Sequence, residues 1–208
     1  MRKAQRSTPS SPDRRIDILV VCTGNTCRSP MAAALLARHL RERGVAGAHV
    51  HSAGTLPWRG AATDEAVAAM HERGLDVAHH RSRELSASLI ARADLVLGMT
   101  RDHVGRVVAI DGDAHDRAFL LGELVRLAAH VGPWTGTPPL REWVASVAAH
   151  RPHRRVPGRA NDEIADPAGH PVDVYRRTAD RLDRLTSAVA DLLAGTGPGA
   201  VNGERPNP

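Results

Sequence analysis

Residues 16–43, IDILVVCTGNTCRSPMAAALLARHLRER, decide the fold. The apolar run Ile16 to Val21 is too short for a helix and lacks polar alternation, which fits a strand buried on both faces. A turn-rich stretch, TGNTC, follows. From about Ser29 to Arg43 the apolar residues Met31, Leu35, Leu36 and Leu40 recur at helical spacing. Ser29 is a suitable cap, Pro30 suits a first turn, and Gly44 is a stop. The segment reads as strand, tight loop, helix.

The same alternation continues outward. Strands are expected at 48–52, 93–98 and 117–121. Helices are expected at 61–73, 85–91 and 172–193, the last with Val174, Leu182, Leu185, Val189 and Leu192 as its core stripe. Strands alternating with helices imply an α/β domain: a parallel sheet flanked by helices on both faces. That domain is expected to span 16–194. Residues 1–15 and 195–208, rich in Ser, Pro, Gly and Asn, read as disordered tails. Residues 131–162 contain Pro133, Pro138, Pro139, Pro152 and Pro157 and read as a loop-rich insertion, with a short helix at 140–150.

With 208 residues the chain suits one domain with a core. Aromatic residues are 2% of it, so that core must be aliphatic. The net charge of +5 is spread along the chain among acidic neighbours. This argues for a solvated surface and against a nucleic-acid footprint. No apolar run is long enough to cross a bilayer, and no signal peptide is legible. The expectation is a cytoplasmic protein with no membrane partner and two reduced cysteines, Cys22 and Cys27.

The chemistry is concentrated in CTGNTCRS, residues 22–29. A loop between a strand's carboxyl end and a helix's amino end is where an open α/β sheet binds ligands. The amides of Thr23, Gly24, Asn25, Thr26 and Cys27 can converge there on one anion, beside the positive end of the helix dipole. Arg28 is spaced to fork two phosphate oxygens. The same dipoles stabilise a thiolate at Cys22, making it a nucleophile with its transition-state clamp in place. Ser29 is placed to donate its hydroxyl to that sulfur. Taken alone, Cys22 also fits a small buried hydrophobe, and the Gly-Asn turn, Arg28 and the Ser-Pro helix start tip the reading. The loop is not a nucleotide-binding one, since no lysine follows. No metal site is expected, because the two cysteines lack partner ligands.

The segment VCTGNTCRSPMAAALL resembles the signature of the low-molecular-weight protein-tyrosine-phosphatase family. Further similar stretches follow in order: HSAGT (51–55), HRSREL (80–85), ADLVLGMTRDH (93–103) and ADPAG (165–169). The resemblance implies a four-stranded parallel sheet and two-step hydrolysis through a phosphocysteine, without cofactor. It implies Cys22 as nucleophile, Arg28 as phosphate clamp and Asp166 as general acid. Read alone, Asp166-Pro167 is only a turn dipeptide. The resemblance also implies that Asn25, Ser52 and His80 brace the loop, and that Cys27 can form a reversible disulfide with Cys22. A packing role for Cys27 and a surface role for His80 remain open.

The implied substrate is a phosphorylated protein or small aryl phosphate, with phosphotyrosine first. Thr26 stands where many members carry a bulky aliphatic residue, and resembles the branch that removes phosphate from arginine. The family's aromatic after Asp-Pro is replaced by Ala168 and Gly169. Trp58 is expected to supply the opposite wall, or else to be an ordinary surface residue. A protein-arginine phosphatase is therefore the alternative, and a non-catalytic phosphate- or phosphopeptide-binding module is the alternative of another class. An arsenate reductase of the thioredoxin-coupled type lacks its relay here, because no cysteine follows Cys27.

Overall fold

The computed structural model describes residues 16–152 and 158–196. The expected tail at 1–15, residues 197–208 of the tail expected at 195–208, and residues 153–157 of the insertion lie outside the described residues. Four strands form one parallel sheet: β1 (Ile16–Cys22), β2 (Ala48–Gly54), β3 (Leu95–Gly98) and β4 (Ala118–Leu120), in the order β2-β1-β3-β4. The helices are α1 (Arg28–Glu42), α2 (Asp64–His71), α3 (Ala87–Arg92), α4 (Arg101–Ile110), α5 (Leu121–Ala128), α6 (Leu140–Ala148) and α7 (Val172–Leu193). This is the fold class expected from the chain's alternation of strands and helices.

The central strand shows why both faces must be covered. Successive side chains of β1 point to opposite faces. Ile18, Val20 and Cys22 join Met31, Leu35, Leu36 and Leu40 of α1 in the larger core. Leu19 and Val21 join Leu89, Ile90, Val104 and Val107 of α3 and α4 in the smaller one. The order of strands reverses between β1 and β3, so the loops leaving their carboxyl ends diverge and open a crevice there. No helix among the described residues is long and apolar enough to cross a membrane.

Several local expectations are corrected. Helix α1 begins at Arg28 with Cys27 at its cap position, and no side chain caps it. Ser29 sits inside the first turn, because its hydroxyl is engaged by the Cys22 sulfur instead. On α7 the buried stripe includes Tyr175, Thr178, Ala179 and Thr186, while Val174 and Leu185 are half-buried. Helices α4 and α5 were not legible as separate elements. Parts of the expected insertion are packed into the core: Trp134, Trp143 and Arg151 are buried.

Candidate active site

The loop after β1 is held from below by β2. Gly54 ends that strand, and a Cβ there would lie 2.7 Å from the Thr23 carbonyl oxygen and 3.1 Å from the Asn25 nitrogen. Glycine is therefore required for the loop to sit on the strand. The Thr55 and Leu56 amides donate to the Cys22 and Thr23 carbonyls at 2.9 and 3.1 Å, pinning the loop's outgoing chain.

Asn25 is the hub. Its φ of 54° places it in the left-handed region, which asparagine tolerates better than most residues. It is fully buried. Its Nδ2 donates to Ser29 Oγ and to Ser52 Oγ, each at 2.8 Å. Its Oδ1 accepts the Arg83 amide at 3.0 Å, and its carbonyl accepts His80 Nε2–H at 2.7 Å. Burial pushes the His80 imidazole below its ordinary pKa, consistent with a neutral ring donating from Nε2. Four residues named from the sequence, Asn25, Ser29, Ser52 and His80, thus lie in one network beneath the loop. Ser29 Oγ lies 3.0 Å from Cys22 Sγ.

Arg28 is buried, with only 3% of its surface exposed. Its Nη1 donates to the Ile164 carbonyl at 3.1 Å, and its Nη2 to Thr23 Oγ1 at 3.3 Å and to the Asp166 carboxylate. Its Nε–H is buried without a partner among the described residues. The segment carrying Asp166 is steered into place by two more ion pairs, Arg126 with Asp162 and Arg101 with Glu163. Asp166 itself is half-exposed, and its Oδ1 accepts the Ala168 amide at 3.2 Å.

A cavity of about 440 Å³ opens over Thr23 and Arg28, bounded by Thr55, Thr100, Asp102, His103, Glu163, Ile164, Ala165 and Asp166. Among the described residues, no aromatic ring other than the His103 imidazole lines it. Trp58 does not reach it. Ser82 accepts the Gly60 amide at 2.7 Å and donates to the Trp58 carbonyl at 2.9 Å, which draws the 56–60 loop toward residues 81–84. Trp58 is 59% exposed and borders a separate cavity with Arg81 and Arg83. Thr26 is also outside the Asp166 cavity; its hydroxyl lies 3.6 Å from Cys27 Sγ. Cys27 is free and buried, with its sulfur near Thr63 and Tyr175 hydroxyls.

Sequence reasoning missed Thr55, Thr100, Asp102, His103 and Glu163. His103 is the most connected of them: it contacts Thr23 and Thr100, and burial followed by the nearby Arg28 charge depresses it to about 4. Its signal was the Thr-x-x-His start of α4. Away from the loop, Asp17, His49 and His51 bring possible metal-ligand atoms within 4.8 Å of one another. There Arg83 donates to His51 Nδ1 at 2.5 Å, which leaves the Nε2–H to donate to Asp17 at 2.6 Å. Hydrogen bonding accounts for that cluster, and the guanidinium opposes a cation.

Residues 17–132 match the low molecular weight phosphotyrosine protein phosphatase family. A protein-arginine-phosphatase of Bacillus subtilis is 34% identical over 86% of this chain and 97% of its own length. The low molecular weight protein-tyrosine-phosphatase Etp of Escherichia coli is 39% identical over 51% of this chain and 69% of its own. Among solved structures, the arginine phosphatase YwlE, as a mutant with a phosphorylated active-site serine, superposes with a TM-score of 0.64 at 33% identity. It covers 85% of this chain and 94% of the other.

Proposed function

Because this chain belongs to the low molecular weight phosphotyrosine protein phosphatase family of cysteine-based phosphatases, we propose that it removes phosphate from protein side chains by two displacements at phosphorus. In the first, the Cys22 thiolate attacks phosphorus, the bond to the side chain breaks, and Asp166 delivers a proton to the leaving atom. In the second, Asp166 takes a proton from water, the oxygen attacks phosphorus, and the sulfur–phosphorus bond breaks to return the thiolate.

The observation that carries this reading is Arg28, buried beside Thr23 and Asp166 on the wall of the cavity, with an Nε–H that has no acceptor among the described residues. A buried cationic donor left unpaired costs on the order of 1–3 kcal/mol or more. A phosphoryl oxygen supplies the missing acceptor, and a second oxygen can take the Nη2 edge that Asp166 now holds. Asp166 is then released toward the leaving atom.

Within that chemistry the cavity favours phosphoarginine. Among the described residues its wall has no tyrosine, tryptophan or phenylalanine to stack on a phenyl ring, and it carries Asp102, Glu163 and Asp166. Carboxylates suit a leaving group that departs as a guanidinium. The similarity to the B. subtilis arginine phosphatase over nearly the whole chain supports the same choice. Phosphotyrosine is the second reading, supported by the family and by the resemblance to Etp. Parallel kinetics on one peptide sequence carrying phosphoarginine or phosphotyrosine decide between them. We expect kcat/KM at least roughly tenfold higher for phosphoarginine, a difference of about 1.4 kcal/mol. The reverse ratio would restore phosphotyrosine to first place. Absence of phosphate release from both peptides would leave a phosphate-binding module.

A further inference from the structure

We propose that His103 is a positioning residue for the phosphoryl site, holding the Thr23 hydroxyl so that it donates into the cavity beside Arg28. The inference rests on the phosphatase reading above and adds a donor to it.

One hydrogen bond sets the tautomer of the ring, and the others follow from it. The Thr100 backbone N–H, which can only donate, lies 3.0 Å from His103 Nδ1. Nδ1 is therefore an acceptor, with the Thr100 hydroxyl oxygen also 2.8 Å from it. The neutral ring then carries its proton on Nε2, which lies 2.9 Å from Thr23 Oγ1. Thr23 Oγ1 accepts there and accepts again from Arg28 Nη2 at 3.3 Å. With both lone pairs taken, the hydroxyl keeps one function, donation, and Thr23 lines the Asp166 cavity. A hydroxyl oriented in advance loses no rotational freedom when a phosphoryl oxygen arrives.

The placement follows from the sheet. Thr23 leaves the end of β1, and His103 lies on the first turn of α4, which follows β3. The two come together where the strand order reverses, and only 4% of His103 is exposed. Arg28, Asp166, Asp102 and Glu163 are the charged groups around the ring. Burial and the Arg28 cation, which act to keep the ring neutral, outweigh the three carboxylates. Protonation would put a hydrogen on Nδ1 against the Thr100 N–H, breaking the arrangement.

The test separates this role from helix capping. His103→Asn keeps an acceptor for the Thr100 N–H but is too short to reach Thr23. His103→Gln can reach Thr23. With p-nitrophenyl phosphate we expect His103→Asn and Thr23→Val each to lower kcat/KM roughly tenfold or more, as for loss of a hydrogen bond to a charged group. His103→Gln should recover most of that loss, and His103→Asn should cost nothing further in the Thr23→Val background. Equal activity of the Asn and Gln variants, or full additivity with Thr23→Val, overturns the proposal. A variant that unfolds is read out by its melting curve, and the other substitution then decides. Wild-type protein that releases no phosphate overturns the phosphatase reading itself, and this role with it.

Discussion

Asn25 Nδ2 donates to Ser29 Oγ at 2.8 Å, and that bond sets the direction of the serine proton. An oxygen that accepts from Asn25 has its hydrogen free for Cys22 Sγ, 3.0 Å away. The bond to sulfur favours the thiolate, and the thiolate is what departs when the phosphocysteine is hydrolysed. Ser29→Ala should therefore slow the second displacement more than the first. With p-nitrophenyl phosphate, a burst of nitrophenol equal to the enzyme present should precede a steady rate lowered roughly tenfold to a hundredfold. Stopped-flow absorbance checks this, and an unchanged steady rate without a burst would remove Ser29 from the chemistry.

Asp166 meets Arg28 directly while remaining half-exposed, so its carboxyl is within reach of both the phosphate clamp and the cavity mouth. A general acid matters most when the leaving group is a poor one. Asp166→Asn should lower kcat/KM for phenyl phosphate at least roughly tenfold more than for p-nitrophenyl phosphate. Equal losses on the two esters would assign Asp166 to binding rather than to proton transfer.

The strand, loop and helix of residues 16–43 were legible because one short run had to serve both as a buried strand and as the entry to an anion-binding turn. The spacing of Cys22 and Arg28 and the Ser29 hydroxyl could be read from that stretch alone. His103 could not, because its partner Thr23 is eighty positions away and only the reversal of strand order joins them. Of the two readings of Trp58, the surface one fits, and the reason it does not wall the cavity is related. The turn that carries it is set by Ser82, a residue without a local sequence signal. The stretch 131–162 read as loop-rich because of its prolines. In the structure Arg151 is buried against Phe119, with its guanidinium 4.2 Å from the ring centroid.

The depressed His103 makes stability depend on pH in a defined window. Its ordinary value of 6.5 applies to the unfolded chain, and about 4 applies to the fold. Between these values the unfolded chain binds a proton that the fold refuses, so stability is full above about 6.5 and declines as pH falls toward 4. The contribution lost is on the order of 3 kcal/mol. Urea unfolding of wild type and His103→Gln at pH 7 and pH 4.5 isolates this group, because the other histidines are common to both. Wild type should lose more stability on acidification than the variant. Identical losses would show that His103 titrates normally.

Glu123 and Arg151 form an ion pair with 1% and 3% of their side-chain surface exposed. Arg151 Nε donates to Glu123 at 2.9 Å, and its Nη1 and Nη2 donate to the His115 and Ala118 carbonyls at 2.7 and 2.6 Å. Glu123 also accepts the Leu120 and Gly158 amides at 3.1 and 3.0 Å. The pair thus ties α5 and β4 to the chain that leads into Asp162 and Asp166. Removing one partner of a buried pair leaves an uncompensated charge and costs about 3–5 kcal/mol. Arg151→Met should lose that much in urea unfolding, because the donor nitrogens that hold Glu123 and the His115 and Ala118 carbonyls vanish while those groups stay buried. Glu123→Gln should lose less, because its amide oxygen still accepts from Leu120 or Gly158. The loosened segment in Arg151→Met should also be cut faster by added protease near Arg159, since that chain depends on the Gly158 bond for its anchor. A loss below about 1 kcal/mol with unchanged cleavage would mean that the neighbouring Arg126–Asp162 pair holds the segment by itself.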